Sequence, residues 1–148
     1  MLSEGHVVGF HSMDHQNAMV RGYLHTRKDF RTGSEFMKRK GISDIWYRPP
    51  WGLTNLFSWH FVRKYGMKMV LWDVMAEDWE RGATAGSIRK KCLSRVKDGS
   101  ILCLHDGGRR TGGAPGAPEK TLEALTYVIP ALKEAGYRFI LPSEAVFR

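Results

Sequence analysis

A chain of 148 residues, 43% hydrophobic and 11% aromatic, is long enough to bury a core and too apolar to stay disordered. No apolar run approaches the roughly 20 residues of a membrane span, and the first six residues do not read as a signal peptide. The formal charge of +8 is spread over Arg27-Lys28, Lys38-Arg39-Lys40, Arg63-Lys64, Arg89-Lys90-Lys91 and Arg109-Arg110. Most of these clusters fall near predicted helix ends or on helix surfaces, where cations favour the C-terminal turn. No aromatic-interleaved basic stretch accompanies them, so no nucleic-acid partner is expected; an anionic polymer such as a cell wall fits the charge equally well. Cys92 and Cys103 have no metal-site spacing and build no disulfide framework.

In chain order, residues 6–10 read as a strand. Residues 30–40 read as a helix stopped by Gly41, and 45–47 as a short strand. Thr54 is the expected N-cap of a helix running to Tyr65, with Gly66 as its stop. Residues 67–72 read as a buried strand, followed by a polar loop to about Gly82 and a helix over 84–97. A strand over 101–104 leads into a Gly/Pro-rich loop, 105–118. An amphipathic helix over 119–135, kinked at Pro130 and ended by Gly136, and a strand over 137–141 complete the pattern. Strands alternating with helices predict an α/β fold with a parallel sheet.

The chemistry-bearing side chains follow the strands. His11 and His15 follow the first, Arg48 the second, Asp73 and Asp78 the third, and His105 the fourth. Ligands in such folds bind beyond the carboxyl ends of the strands. Two imidazoles four residues apart share a face on a helical turn and can converge on one cation. Zinc needs a third protein ligand and, for hydrolysis, an open position for water. The other reading is that polar residues end strands everywhere and that paired histidines occur on ordinary helices.

The motif series His11-Ser12-x-x-His15, Arg48-Pro49-Pro50-Trp51-Gly52, Trp72-Asp73-Val74 with Asp78-Trp79, and Leu102-Cys103-Leu104-His105-Asp106 resembles the polysaccharide deacetylases of carbohydrate esterase family 4. The approach Glu4-Gly5-His6-Val7-Val8-Gly9 is similar too, and the resemblance runs from about residue 3 to about residue 142. It implies an incomplete (β/α) barrel and zinc-dependent hydrolysis of N-acetyl groups from an amino-sugar glycan of the peptidoglycan or chitin type. It also implies an extracellular or wall-facing location. His11 and His15 match the zinc-binding pair. Arg48 matches the arginine that orients the catalytic carboxylate, Asp78 the aspartate that tunes the catalytic histidine, and His105 that histidine, the general acid. Trp51, Trp79 and Leu104 match groove-lining, substrate-contacting positions.

The family opens with Thr-Phe-Asp-Asp-Gly, whose first Asp is the general base and whose second is the third zinc ligand. This sequence has no Asp-Asp. Residues 1–148 are therefore expected to be one deacetylase-like domain truncated at its N-terminus, with Asp14 or Asp73 as the stand-in carboxylates to consider. Gln16 replaces a Pro that often follows the second His, Cys103 a Leu of the acetyl pocket, and Met75 a frequent acidic residue. A non-catalytic carbohydrate-binding remnant is the alternative. A nucleic-acid module would rest on charge alone.

Overall fold

The structure, a computed structural model, describes residues 1–107 and 112–144. The Arg109-Arg110 cluster and part of the 105–118 loop lie outside the described residues. The chain divides into two compact units, Met1–Leu71 and Trp72–Arg148. Each is built from helices beside a parallel pair of short strands, so the class is α/β with parallel strands.

The first unit holds α1 (Tyr23–Arg39), β1 (Trp46–Tyr47), α2 (Leu56–Lys64) and β2 (Lys68–Met69). β1 pairs with β2 in register Trp46 to Lys68 and Tyr47 to Met69. The expected strand over 6–10 reduces to one parallel bridge, Phe10 to Tyr47. α1 begins seven residues earlier than the apolar pattern indicated, because its first turns carry polar residues and only its buried stripe (Thr26, Phe30, Gly33, Ser34, Met37) faces the core. It ends where expected. Gly41, at φ 77°, lets the Ile42 amide donate back to Met37 at 3.0 Å, satisfying a carbonyl the last turn leaves open.

The cap of α2 falls on Asn55, one residue after Thr54. Its side-chain oxygen accepts from the Ser58 amide at 2.9 Å, and its amide nitrogen donates to the carbonyls of Ala18 (2.6 Å) and Arg21 (3.0 Å). Only a side chain with both an acceptor and two donors can cap the helix and tie down the preceding turn at once. Phe10, Phe30, Tyr47 and Phe61 form the aromatic centre. Ring centroids lie 5.8 Å apart for Phe10–Phe30, 4.7 Å for Phe30–Tyr47 and 5.9 Å for Phe30–Phe61. Burying each ring stabilises the fold by about 1.5–3 kcal/mol.

The second unit holds β3 (Val74–Met75), α3 (Ala85–Arg95), β4 (Leu102–Cys103) and α4 (Ala117–Glu134). β3 lies in the segment expected to be a loop. Its parallel partner is β4, in register Val74 to Leu102 and Met75 to Cys103. Asp73 extends the pairing with its side chain, whose carboxylate accepts the Ile101 amide at 2.8 Å. Thr84, where the helix over 84–97 was expected to begin, is the cap of α3, with the reciprocal Ser87 bond of a capping box. α4 starts two residues early, with Pro118 in its first turn where the missing N–H costs nothing, and runs through Pro130. Residues 137–141 form no strand; the Tyr137 amide instead closes α4 by donating to Leu132 at 2.9 Å. α3 and α4 pack through Ile88, Cys92, Ala124, Val128 and Leu132.

α1 approaches Phe10 so closely that a Cβ on Gly33 would lie 2.3 Å from the Phe10 ring. Phe10 is only 5% exposed and cannot swing aside. Gly33→Ala therefore loses more from overpacking, about 1–3 kcal/mol, than the roughly 1 kcal/mol that alanine gains in a helix. A lower denaturation midpoint at unchanged m-value is the expected result.

Candidate active site

In the first unit the two candidate metal ligands come together, but not on a helix. Residues 11–15 form an irregular loop in which Ser12 and His15 adopt φ of 68° and 52°. Non-glycine residues enter that region at a cost, so neighbouring bonds must hold them. The Asp29 carboxylate accepts the Met13 amide at 2.7 Å and the Ser12 hydroxyl at 3.2 Å. The loop places the His11 and His15 rings 5.0 Å apart.

The His11 Nδ1 lies 2.6 Å from the Arg48 carbonyl. A carbonyl only accepts, so Nδ1 carries the proton and the lone pair of the neutral ring sits on Nε2, as a metal ligand requires. His15 Nδ1 is buried with no hydrogen-bond partner among the described residues. Its ring meets the half-exposed Trp51 edge-on at 4.5 Å, and Trp51 itself sits at φ 53° in the turn after Pro49-Pro50. The Arg48 guanidinium donates to the Leu71 carbonyl at 3.1 Å.

Two imidazoles this close suit two ligand positions of a divalent ion. Among the described residues no group of three His, Cys, Asp or Glu side chains is arranged to hold one. The stand-in carboxylates have other engagements: Asp14 lies 3.4 Å from His25 and accepts from Ser12, while Asp73 accepts the Ile101 amide.

In the second unit Asp78 is fully buried. Its carboxylate accepts from His105 Nδ1 (2.8 Å), the His105 amide (2.6 Å) and the Thr121 hydroxyl (2.9 Å). Burial pushes the Asp78 carboxyl up, but these donors and the His105 charge outweigh it and hold it below the usual carboxylate range. The same Asp78 bond, with a smaller contribution from the Cys103 side chain, raises His105 to about 9 against the opposing effect of burial. At neutral pH His105 is therefore an imidazolium, a proton donor.

Trp79 meets the His105 ring edge-on at 4.9 Å. Leu104 is partly buried against the α3–α4 core. Glu77, next to Asp78, sits at φ 48° and is held by Lys91 (2.7 Å) and Arg95 (3.0 Å) of α3. Sequence reasoning overlooked Thr121, Asp29 and Glu77. Thr121 left a trace: it is the one hydroxyl on the otherwise apolar buried stripe of α4 (Ala117, Thr121, Ala124, Val128, Leu132).

No family model matches the chain. It is 31% identical to a peptidoglycan-N-acetylglucosamine deacetylase of Bacillus cereus over 97% of its own length and 65% of that protein's. It is 30% identical to a chitooligosaccharide deacetylase of Azorhizobium caulinodans over 90% and 66%. The chain is a homologue of the polysaccharide deacetylases of carbohydrate esterase family 4. A solved family 4 acetyl xylan esterase from Clostridium thermocellum, in complex with a cobalt ion, superimposes with a TM-score of 0.79 at 28% identity, covering 97% of this chain and 65% of that one. The chain thus spans about two thirds of the length of these family 4 relatives.

In a proton titration followed by NMR, His105 is expected to titrate near pH 9 and to fall back toward 6.5 in Asp78→Asn. Because its folded-state value is raised, the stability that protonated His105 contributes is fully present below pH 6.5 and is lost as pH rises through 9, while the share that rests on ionised Asp78, whose carboxyl is held low, is lost in acid. A His105 value near 6.5 in the unaltered chain would contradict the geometry.

Proposed function

We propose that the chain serves the hydrolytic removal of acetyl groups from an amino-sugar glycan of the peptidoglycan or chitin type, as part of a family 4 catalytic domain built on a (β/α) barrel. The observation that carries this reading is the Asp78–His105 pair: a buried carboxylate that keeps an imidazole charged at neutral pH. Its sequence context, Asp78-Trp79 and Leu104-His105, is that of a homologue of deacetylases. The glycan comes from the names of those relatives. The +8 charge suits an anionic wall polymer, and among the described residues no helix is long and apolar enough to cross a membrane. A wall-facing location follows from the same relatives.

His11 and His15 would hold a divalent ion, zinc first, with a third donor beyond those two. When bound, such an ion supplies polarisation of the acetyl carbonyl and a more acidic water. The remaining roles belong to the chain itself. His105 donates its Nε2 proton to the departing amine, and Asp78 holds the ring in the orientation and charge state that permit it. Without that proton the leaving group would depart as an amide anion, which water does not tolerate. The carboxylate that takes the proton from water is the family's first Asp, which this sequence lacks, and Arg48 would orient it where that segment is present. Trp51 and Trp79 give the sugar flat apolar faces, and Leu104 lines the groove beside them.

The absence of Asp-Asp from the sequence, and of a three-donor cluster among the described residues, favours a second reading in which the same surfaces bind glycan without turnover. Acetate release from N-acetylated chitooligosaccharide and from peptidoglycan separates the two. It is measured with zinc on this chain and on a form extended at its N-terminus by a segment carrying Thr-Phe-Asp-Asp-Gly. The extended form is expected to release acetate, and His105→Ala to slow it about 10²–10⁴-fold. A folded, zinc-loaded extended form that binds the glycan but releases no acetate leaves the binding reading in its place.

A further inference from the structure

We propose that Asp29 is a positioning residue for the histidine pair: its carboxylate, delivered by α1, sets the backbone of the 11–15 loop that brings His11 and His15 together. The inference rests on reading these histidines as metal ligands, and it adds a residue that none of the sequence motifs contains.

Three observations converge on it. The loop is bent against its own preference, with Ser12 at φ 68° and His15 at φ 52°. Such backbone persists only where the surroundings determine it. Between the two histidines, the Met13 amide donates to Asp29 Oδ1 at 2.7 Å, and the Ser12 hydroxyl is shared between Asp29 Oδ1 and Asp14, each at 3.2 Å. Aiming the Met13 amide at α1 fixes the path of the chain through the loop's centre, and the rings to either side take their places from that path.

The position of Asp29 is itself imposed by packing. Gly33, one turn further along α1, lets the helix press against the Phe10 ring, and Phe30 is buried at 1% exposure against Phe10 and Tyr47. Residues four apart share a helix face, so the contact that seats Gly33 on Phe10 presents Asp29 to the loop that begins one residue after Phe10. The aromatic core and the histidine loop of the first unit are thus one mechanical unit. Asp29 does not act as a ligand itself, since no three-donor group of His, Cys, Asp or Glu exists among the described residues. It acts through the loop, in the way outer partners orient metal-binding imidazoles.

The test uses the full chain, titrated with zinc chloride while the His11 and His15 imidazole nitrogens and the Met13 amide are followed by NMR. Asp29→Ala is expected to lower zinc affinity about tenfold or more and to speed Met13 amide exchange even without metal. Asp29→Asn keeps an acceptor oxygen and removes the charge. It is expected to restore both readouts, which a role resting on charge alone would not allow. Equal zinc affinity in Asp29→Ala and the unaltered chain overturns the positioning role while leaving the metal reading intact. If zinc shifts neither imidazole of the unaltered chain, the metal reading itself is overturned. Should Asp29→Ala not fold, the unaltered chain decides: a Met13 amide protected from exchange without metal supports the role, and one that exchanges like a free amide overturns it.

Discussion

The second unit depends on one buried charge. Asp78 has no contact with solvent, and an isolated carboxylate in that position would cost several kcal/mol. Three donors offset this: the His105 ring, the His105 backbone and the Thr121 hydroxyl. They come from the end of β4 and from α4, so the carboxylate locks a strand end to a helix. The need to satisfy the charge dictates where His105 points, which of its nitrogens is protonated and why it stays cationic at neutral pH. Glu77 supports the arrangement from the other side. Lys91 and Arg95 lower its carboxyl below the usual range and pin the strained backbone just before Asp78.

The histidine loop of the first unit follows the same logic with a different donor. There a carboxylate on a helix organises backbone instead of a ring. In each unit an acidic side chain bonds at a candidate site: Asp29 holds the Met13 amide between His11 and His15, and Asp78 holds the His105 ring. Under the proposed function this matters because the proton inventory of a hydrolysis must be set before substrate arrives. The Arg48 carbonyl places the proton of His11 on Nδ1, and Asp78 places that of His105.

Much of this was legible in the sequence because it is local. Gly41, Gly66 and Gly136 stop helices at positive φ where they were expected to, and Thr84 caps α3. The candidate site residues were found from their positions after strands and from the family resemblance, and Asp78 and His105 do meet. What escaped was long-range. Thr121 reaches Asp78 across 43 residues, and Asp29 reaches Met13 across 16, so neither bond appears in any periodicity. The spacing of His11 and His15 is compatible with a helical turn and equally with a loop containing two left-handed residues, and pattern alone does not separate these. Strand lengths were overestimated for a similar reason. Apolar runs mark burial, whereas a ladder needs a neighbour, and residues 6–10 find one only at Phe10. Asp73, a candidate ligand by type, is occupied with the Ile101 amide.

The most direct test of the account is the pH dependence of acetate release by the extended, zinc-loaded form, compared with its Asp78→Asn variant. If His105 donates the proton and Asp78 holds it charged, activity falls on the alkaline side with a limb near pH 9, and that limb moves toward 6.5 in the variant. An alkaline limb near 6.5 in both forms, or one that Asp78→Asn leaves in place, would show that this pair does not supply the proton.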